Sequence, residues 1–237
     1  MKLDLVTLAT TSGSIAALDY EPRRPRNIGI VAGHGYSSSK HNLDSLCAFL
    51  ASHGFHVASI DFPGHKLGAS GGRLDRPEDL TDAMAAAVAY VRDRHTPEVY
   101  VLGHSMGATT ALRAAAADPQ VLGAVSIATG YGRPAVVEGL AAKSFDLRAE
   151  YVDGLSLPDL AAQSEPLLEA ALPKLAGRPV LYVAAERDML VSRRSVDELY
   201  ERAPEPKQLV TVPSDHTYAG ENSRAAVVAW LNERHPR

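Results

Sequence analysis

Apolar runs of strand length alternate with helix-forming segments through most of this 237-residue sequence, and this alternation constrains the fold more than any other feature. The runs are continuously apolar, which is typical of strands buried on both sides. Helical segments between such strands predict a parallel sheet with helices on both faces. The predicted strands of this kind are Asn27–Ala32, Phe55–Ile60, Val99–Leu102, Val121–Ala128, Val180–Ala184 and Gln208–Val212.

Helical periodicity fills the intervals between these strands. Apolar residues at helical spacing follow the first strand, from Leu43 to Leu50, and Gly54 is placed to end that helix. Pro77 opens a second helix. Further helices are predicted at Met106–Ala117, Leu160–Leu172, Arg193–Arg202 and Asn222–Glu233.

Two regions depart from the alternation. Leu3–Thr10 and Ile15–Tyr20 flank a turn and predict an antiparallel edge to the sheet. Gly130–Gly177 holds helical material, including Val136–Ala142, but no good strand. We therefore expect one domain over residues 1–237, in which residues 130–177 form a small helical lid over one end of the sheet.

Composition excludes several classes of protein. Lys and Arg total 24 against 28 Asp and Glu, a net charge of −4 without a basic block, so no nucleic-acid partner is expected. The single cysteine rules out an intramolecular disulfide and a multi-cysteine metal site, and the acidic residues lack metal-ligand spacing. No segment has the apolar length of a signal peptide or a membrane span. We expect a cytoplasmic protein that does not insert into membranes.

The motif Gly103-His104-Ser105-Met106-Gly107 lies between a predicted strand and a predicted helix. In that context G-x-S-x-G is typical of a nucleophile elbow, a sharp turn that presents a serine at its tip. The glycines two residues away on either side avoid collision with the strained turn, and the helix N-terminus favours an anion formed there. We therefore expect Ser105 to be a catalytic nucleophile.

A serine hydroxyl needs a base, and nine histidines are candidates. His216 follows the last strand, which places it at the carboxyl edge of the sheet with Ser105. His34 and His104 lie near the same edge but in backbone turns beside the nucleophile. We take His216 as the base. Histidines at helix ends or strand starts are expected on the surface: His53, His56, His95 and His235.

The base needs an acidic partner to orient its ring. Asp188 follows the penultimate strand at the same edge, and the order serine, aspartate, histidine is that of α/β-hydrolases. Glu186 and Asp215 remain alternatives. Asp188 is favoured because a side chain rarely reaches the ring of its own neighbour, as Asp215 would have to.

Carbonyl attack also creates an oxyanion that needs two donors. The backbone N–H of Met106 is one candidate, because this residue follows the nucleophile and opens a helix. The N–H of Tyr36 is the other, in the loop Gly33-His34-Gly35-Tyr36 after a strand. Glycines in that loop allow the substrate to approach the backbone closely.

Together these motifs resemble the α/β-hydrolase superfamily, and especially its small feruloyl-esterase-like and serine-peptidase-like members. The resemblance extends from Asn27 to Leu231. It implies an eight-stranded, mostly parallel sheet, no cofactor, and hydrolysis of a small-molecule ester through an acyl-enzyme. One loop departs from the superfamily pattern D-x-x-G-x-G-x-S: Asp61 and Gly64 match, but Lys66 and Gly68 replace the later Gly and Ser.

Other interpretations remain beside this one. Thioesterase, peptidase, acyltransferase and perhydrolase activities use the same triad, and a hydrolase-fold protein can bind a ligand without turnover. Residues 33–38 also imitate a dinucleotide-binding loop, but Ser38 replaces its third glycine. Cys47 and Trp230 are expected to be packed in the core rather than catalytic or substrate-binding.

Overall fold

A single mixed sheet forms the centre of the computed structural model, which describes residues 1–11, 13–132 and 149–236. In chain order its strands are β1 (Lys2–Thr10), β2 (Gly13–Glu21), β3 (Gly29–Gly33), β4 (His56–Ile60), β5 (Val99–His104), β6 (Ala124–Ile127), β7 (Val180–Ala185) and β8 (Lys207–Val212). The spatial order is β1-β2-β4-β3-β5-β6-β7-β8. β2 pairs antiparallel with β1 and β4, and the other pairs are parallel. The predicted eight-stranded, mostly parallel sheet with an antiparallel edge is confirmed.

Helices connect the strands much as the periodicity predicts. The α-helices of the described ranges are α1 (Asp44–Ser52), α2 (Glu78–Arg94), α3 (Met106–Ala117), α4 (Leu157–Ala171), α5 (Arg193–Arg202), α6 (Ala219–Asn222) and α7 (Arg224–Arg234). Short 3₁₀ segments lie at Lys40–Leu43, Ala149–Tyr151 and Leu172–Leu175. The predicted final helix is thus two helices that meet at Ser223. Within these ranges no helix is both long and apolar enough to cross a membrane.

Both faces of the sheet are covered, which explains why its strands are continuously apolar. On β3, Ile30 packs in a core with α1 and α7, while Val31 packs on the opposite face with α2 and α3. This follows from the alternation of side chains across a strand. Cys47 and Trp230 lie in the α1–α7 core with 0% and 1% of their surfaces exposed, as predicted.

A buried polar cluster contradicts one expectation from the sequence. His56 is 6% exposed and the side chain of His95 is 6% exposed, so their predicted surface positions are wrong. The two rings stack with centroids 4.3 Å apart. Asp19 on β2 lies 2.9 Å from Nε2 of His95 and accepts a 2.7 Å hydrogen bond from the Tyr90 hydroxyl. Asp19 thus gives hydrogen-bond partners to His95 and Tyr90, whereas Nδ1 of His56 is buried without one among the described residues.

The predicted insertion is partly described: residues 133–148, which include the predicted helix Val136–Ala142, lie outside the described residues. Residues 152–155 run beside the loop that follows β4. The N–H of Asp153 donates to Gly64 O at 2.8 Å, and the N–H of Leu155 donates to Leu74 O at 2.7 Å. These backbone hydrogen bonds fix the segment that leads into α4.

An open cleft of about 1030 Å³ lies at the amino edge of the parallel strands. Ile28 and Glu98, which precede β3 and β5, contribute to its lining. Met1 and Pro236 line the same cleft. Both ends of the described chain therefore meet at the edge of the sheet opposite the carboxyl ends of the strands.

Candidate active site

Ser105 occupies a strained turn between β5 and α3. Its backbone has φ 54° and ψ −114°, in the left-handed half of the map that non-glycine residues seldom adopt. A Cβ at Gly103 would lie 2.0 Å from the Gly107 carbonyl oxygen, and one at Gly107 would lie 2.2 Å from the Gly33 carbonyl oxygen. The motif therefore needs glycine at both flanking positions, and the sharp turn presents Ser105 at the carboxyl edge of the sheet.

His216 and Asp188 meet at the same edge. Nδ1 of His216 lies 2.8 Å from Oδ2 of Asp188, and the two side chains are 13% and 3% exposed. The other oxygen, Oδ1, accepts hydrogen bonds of 2.8 Å from the N–H groups of Leu190 and Val191. With Asp188 as acceptor, Nδ1 carries the proton and Nε2 can accept one.

The environment keeps Asp188 ionised. Burial raises the pKa of its carboxyl, but the hydrogen bond and charge of His216, with the two backbone N–H groups, outweigh that effect. The pKa of Asp188 is therefore lowered from its ordinary value. An ionised acceptor holds the imidazole in one tautomer and stabilises its protonated form.

The two acidic alternatives are placed differently. Glu186 is exposed to solvent. Asp215 accepts a 3.0 Å hydrogen bond from the N–H of Tyr218, so its carboxylate closes a turn in its own loop. Of the three acidic residues, Asp188 is the one in contact with the His216 ring.

His104 links the nucleophile turn to the loop that carries His216. Its Nε2 donates to the His216 carbonyl oxygen at 2.7 Å, and the two rings lie 4.9 Å apart. Among the hydrogen bonds of the described residues, none joins Ser105 Oγ to the His216 ring. Catalytic hydrogen bonds of this type are often long until substrate binds.

The two predicted oxyanion donors lie in suitable local structure. Met106 is the first residue of α3, where N–H groups have no acceptor within the helix. In the loop after β3, His34 Nδ1 donates to Gly35 O at 2.7 Å. Because a trans peptide holds its C=O and N–H in opposite directions, this bond sets the direction of the Tyr36 N–H.

His34 is itself held in one tautomer. The N–H of Phe62 donates to its Nε2 at 3.0 Å, so the proton of the neutral ring sits on Nδ1. Complete burial, reinforced by the neighbouring His65, lowers the pKa of His34 to about 3. The sequence did not single out this role, because the adjacent peptide that His34 orients can be recognised only from the folded loop.

A buried ion pair holds the far end of the loop that follows β3. Lys40 Nζ lies 2.6 Å from Asp61 Oδ2, with side chains 3% and 0% exposed. Asp61 also accepts 2.7 Å bonds from the backbone N–H groups of Lys40 and Ala69. A Cβ at Gly68 would lie 2.4 Å from Asp61 Cγ. This contact explains why a glycine stands where the superfamily pattern has a serine. Sequence reasoning missed this pair.

A narrow cavity of about 50 Å³ adjoins Ser105. Helix α4, from the predicted lid region, contributes much of its apolar lining. No group of three His, Cys, Asp or Glu side chains within the described ranges is arranged to hold a metal ion. Burial raises the pKa of the Cys47 thiol to about 12, so this residue is not a thiolate nucleophile.

A family model described as "Serine aminopeptidase, S33" matches residues 24–170. Cutinase 1 of Thermobifida cellulosilytica is 29% identical over 132 residues, which is 52% of this chain and 47% of the cutinase. Cutinase est1 of Thermobifida alba is 30% identical over 46% of this chain and 37% of its own length. The matches thus span about half or less of these relatives.

Solved structures show the same fold over nearly the whole chain. The esterase domain of a Rhodothermus marinus protein has a TM-score of 0.75 and 21% identity, covering 98% of this chain and 99% of that domain. Est1E from Butyrivibrio proteoclasticus has a TM-score of 0.76 and 16% identity, with the same coverage.

Proposed function

This chain belongs to the serine aminopeptidase S33 family of α/β hydrolases, and from that premise we propose that it is a serine hydrolase that cleaves carboxylic esters of small to medium size. The observation that carries the proposal is the 2.8 Å contact between Asp188 and His216 at the edge where the strained turn presents Ser105. A nucleophile, a base and an ionised acid have no purpose together in a protein that only binds a ligand.

The proposed reaction begins with attack of Ser105 Oγ on the ester carbonyl. Nε2 of His216 takes the hydroxyl proton, and the N–H groups of Tyr36 and Met106 stabilise the oxyanion. Collapse of the tetrahedral intermediate breaks the bond to the alcohol, which leaves with the proton from His216. Water then attacks the acyl-enzyme, with His216 again as base, and releases the acid and free Ser105.

The choice of esters rests on the relatives. The named cutinases favour ester cleavage, whereas the family description suggests amides. Thioesters, acyl transfer and peracid formation would use the same three side chains. We include in the proposal a lid over residues 130–177, within one domain spanning residues 1–237, and the cytoplasmic location predicted from the sequence.

The test combines labelling with turnover. A fluorophosphonate probe should label wild-type protein but not Ser105→Ala, and p-nitrophenyl butyrate hydrolysis should disappear with the label. Ser45→Ala changes an exposed serine on α1, and this variant should keep both the probe labelling and the ester hydrolysis. A panel of matched ester, thioester and amide substrates then identifies the preferred bond. Unlabelled Ser105 with unchanged hydrolysis in Ser105→Ala would exclude the proposed mechanism.

A further inference from the structure

The side chain of Tyr36 reaches from the loop after β3 to the region proposed as a lid. Its hydroxyl donates a 3.0 Å hydrogen bond to the carbonyl oxygen of Leu155, a residue 119 positions away in the chain. Both residues are partly buried and pack against the same hydrophobic core. The residue whose N–H is a proposed oxyanion donor is therefore also attached, through its side chain, to the segment that leads into α4.

The carbonyl group of Leu155 lies on a segment that is itself held in place. Residues 151–155, here called the lid-entry segment, are joined to the loop after β4 by backbone hydrogen bonds of 2.7 to 2.9 Å. These bonds involve Tyr151 at one end of the segment, Asp153 in its middle and Leu155 at the other end. The Tyr36 hydroxyl thus bonds to an acceptor whose position is fixed by the neighbouring loop.

The lid-entry segment and the loop after β4 approach each other so closely that both need glycine. A Cβ at Gly154 would lie 2.0 Å from the carbonyl oxygen of Leu74, and one at Gly64 would lie 2.5 Å from that of Asp153. Both glycines have positive φ, 127° and 75°. A side chain at position 154 would therefore have to move the lid-entry segment away from the loop.

His65 holds the aromatic ring of Tyr36 against the same structure. The two rings pack edge to face with centroids 5.8 Å apart, and His65 is 1% exposed. Nδ1 of His65 donates to the carbonyl oxygen of Pro63 at 3.0 Å, and the backbone of His65 pairs with Val152 of the lid-entry segment. Ring and hydroxyl of Tyr36 are thus both held by residues of this small assembly.

These contacts bear on the direction of the proposed oxyanion donor. The Tyr36 N–H belongs to the planar peptide that joins Gly35 to Tyr36. The bond from His34 Nδ1 holds the oxygen of that peptide, and the side chain of Tyr36 holds the Cα at its other end. A donor stabilises the transition state most when its direction is set before the reaction, because no reorganisation is then needed.

We infer that the Tyr36 hydroxyl is a positioning group: it ties the loop after β3 to the lid-entry segment and so holds the Tyr36 N–H toward the oxyanion. The inference rests on the proposed function, because it needs Ser105 to form an oxyanion. It has a consequence for the lid region. A change in the lid-entry segment, which is not part of the triad, should lower kcat through Tyr36.

Tyr36→Phe is the direct test, since it keeps the ring and the N–H and removes only the hydroxyl. Loss of a whole oxyanion donor typically costs about 10²–10³ in rate, and a loosened donor should cost part of that. With p-nitrophenyl butyrate, kcat should fall at least about tenfold while KM stays within about threefold, as expected for an interaction made in the transition state. The inhibition constant of an alkyl trifluoromethyl ketone, whose adduct with Ser105 carries an oxyanion, should rise by about the same factor as kcat falls.

Tyr90→Phe is the matched control. Tyr90 is also partly buried, and its hydroxyl donates to Asp19 at 2.7 Å on β2, a strand that β4 separates from β3. This variant loses a hydrogen bond of the same kind and should unfold at a lower temperature, yet it should keep the wild-type kcat and inhibition constant. A purely structural role for the Tyr36 hydroxyl would make the two variants alike in kinetics.

Gly154→Ala attacks the same hydrogen bond from the side of its acceptor. It should lower kcat in the wild-type background and change it by less than about twofold in the Tyr36→Phe background, where that bond is already absent. Fold losses that multiply in the double variant would overturn the inference, and Tyr36→Phe alone decides if Gly154→Ala does not fold. Fluorophosphonate labelling of Ser105 together with a Tyr36→Phe kcat within twofold of wild type would reject the positioning role alone. An unlabelled Ser105 without hydrolysis of any ester would instead remove the proposed function, and this inference with it.

Discussion

Replacement of Lys40 by Met tests the buried ion pair with Asp61. The two side chains are 3% and 0% exposed and 2.6 Å apart, so solvent does not screen them. Met keeps the length of the side chain but removes its charge, and it leaves the Asp61 carboxylate with its two backbone donors. Breaking a buried pair in this way typically costs about 3–5 kcal/mol. At 2–4 °C per kcal/mol for a chain of this size, the melting temperature should fall by roughly 6–20 °C.

The stability lost in Lys40→Met should depend on pH in a defined direction. Burial raises the pKa of Asp61, but the Lys40 ammonium and the backbone N–H groups outweigh it, so the wild-type pKa lies below its ordinary value. Wild-type Asp61 therefore adds stability above the unfolded pKa of about 3.9, and that stability is lost as the pH falls through the folded pKa. In Lys40→Met we expect burial to outweigh the two remaining backbone N–H groups and to raise the folded pKa of Asp61 instead. The deficit of Lys40→Met should then shrink between pH 7 and pH 4.

The assay is urea unfolding followed by circular dichroism at several pH values. Lys66→Met is the control, because Lys66 and Asp153 form an exposed pair at 2.9 Å with both side chains 48% exposed. Its unfolding free energy should change by less than about 1 kcal/mol. Lys40→Met combined with Asp61→Asn should be more stable than Lys40→Met alone, since no charge remains buried. A Lys40→Met variant within 1 kcal/mol of wild type at pH 7 would refute the reasoning.

Three further predictions follow from the described contacts. Asp188→Asn should lower kcat by about 10⁴-fold with little change in KM, because an amide favours the wrong tautomer of the base, whereas Asp215→Asn should remain within a few-fold in the same ester assay. Burial, aided by a neighbouring ring, lowers the pKa of His56, so stability should fall as the pH drops below about 6.5 and the unfolded ring takes up a proton. His56→Phe should reduce that slope by up to about 1.4 kcal/mol per pH unit in urea titrations, and an unchanged slope would disprove the assignment. Gly107→Ala would place a Cβ 2.2 Å from a backbone oxygen and should cost about 3 kcal/mol in thermal unfolding, whereas Gly71→Ala meets nothing within 4 Å and should be neutral or slightly stabilising.

The sequence predicted the sheet and the nucleophile turn because both depend on local patterns. Continuously apolar strands are visible residue by residue, and the glycines around Ser105 are required by backbone contacts within a few ångströms. Chain order then placed Asp188 and His216 after the last two strands, and parallel strands bring such loops to one edge. The structure places the two in contact, while their catalytic roles stay a prediction.

Contacts between residues that are distant in the chain could not be predicted in the same way. Lys40 and Asp61 are 21 residues apart, and a lysine near a helix start ordinarily indicates a solvated side chain. The predictions for His56 and His95 fail for a related reason. Their positions at element ends suggest exposure, but Asp19 on β2 contacts His95, and His56 stacks on the His95 ring. In both cases tertiary packing decides burial, and no local pattern encodes it.

The position of the chain ends has a practical consequence for handling the protein. Met1 and Pro236 line one cleft at the amino edge of the strands, while Ser105 lies at the carboxyl edge. A tether to a solid support through either of these ends would turn the edge that carries Ser105 outward, toward the bulk solution. Immobilised preparations attached in this way should keep the kcat/KM of the free protein, whereas random attachment should not.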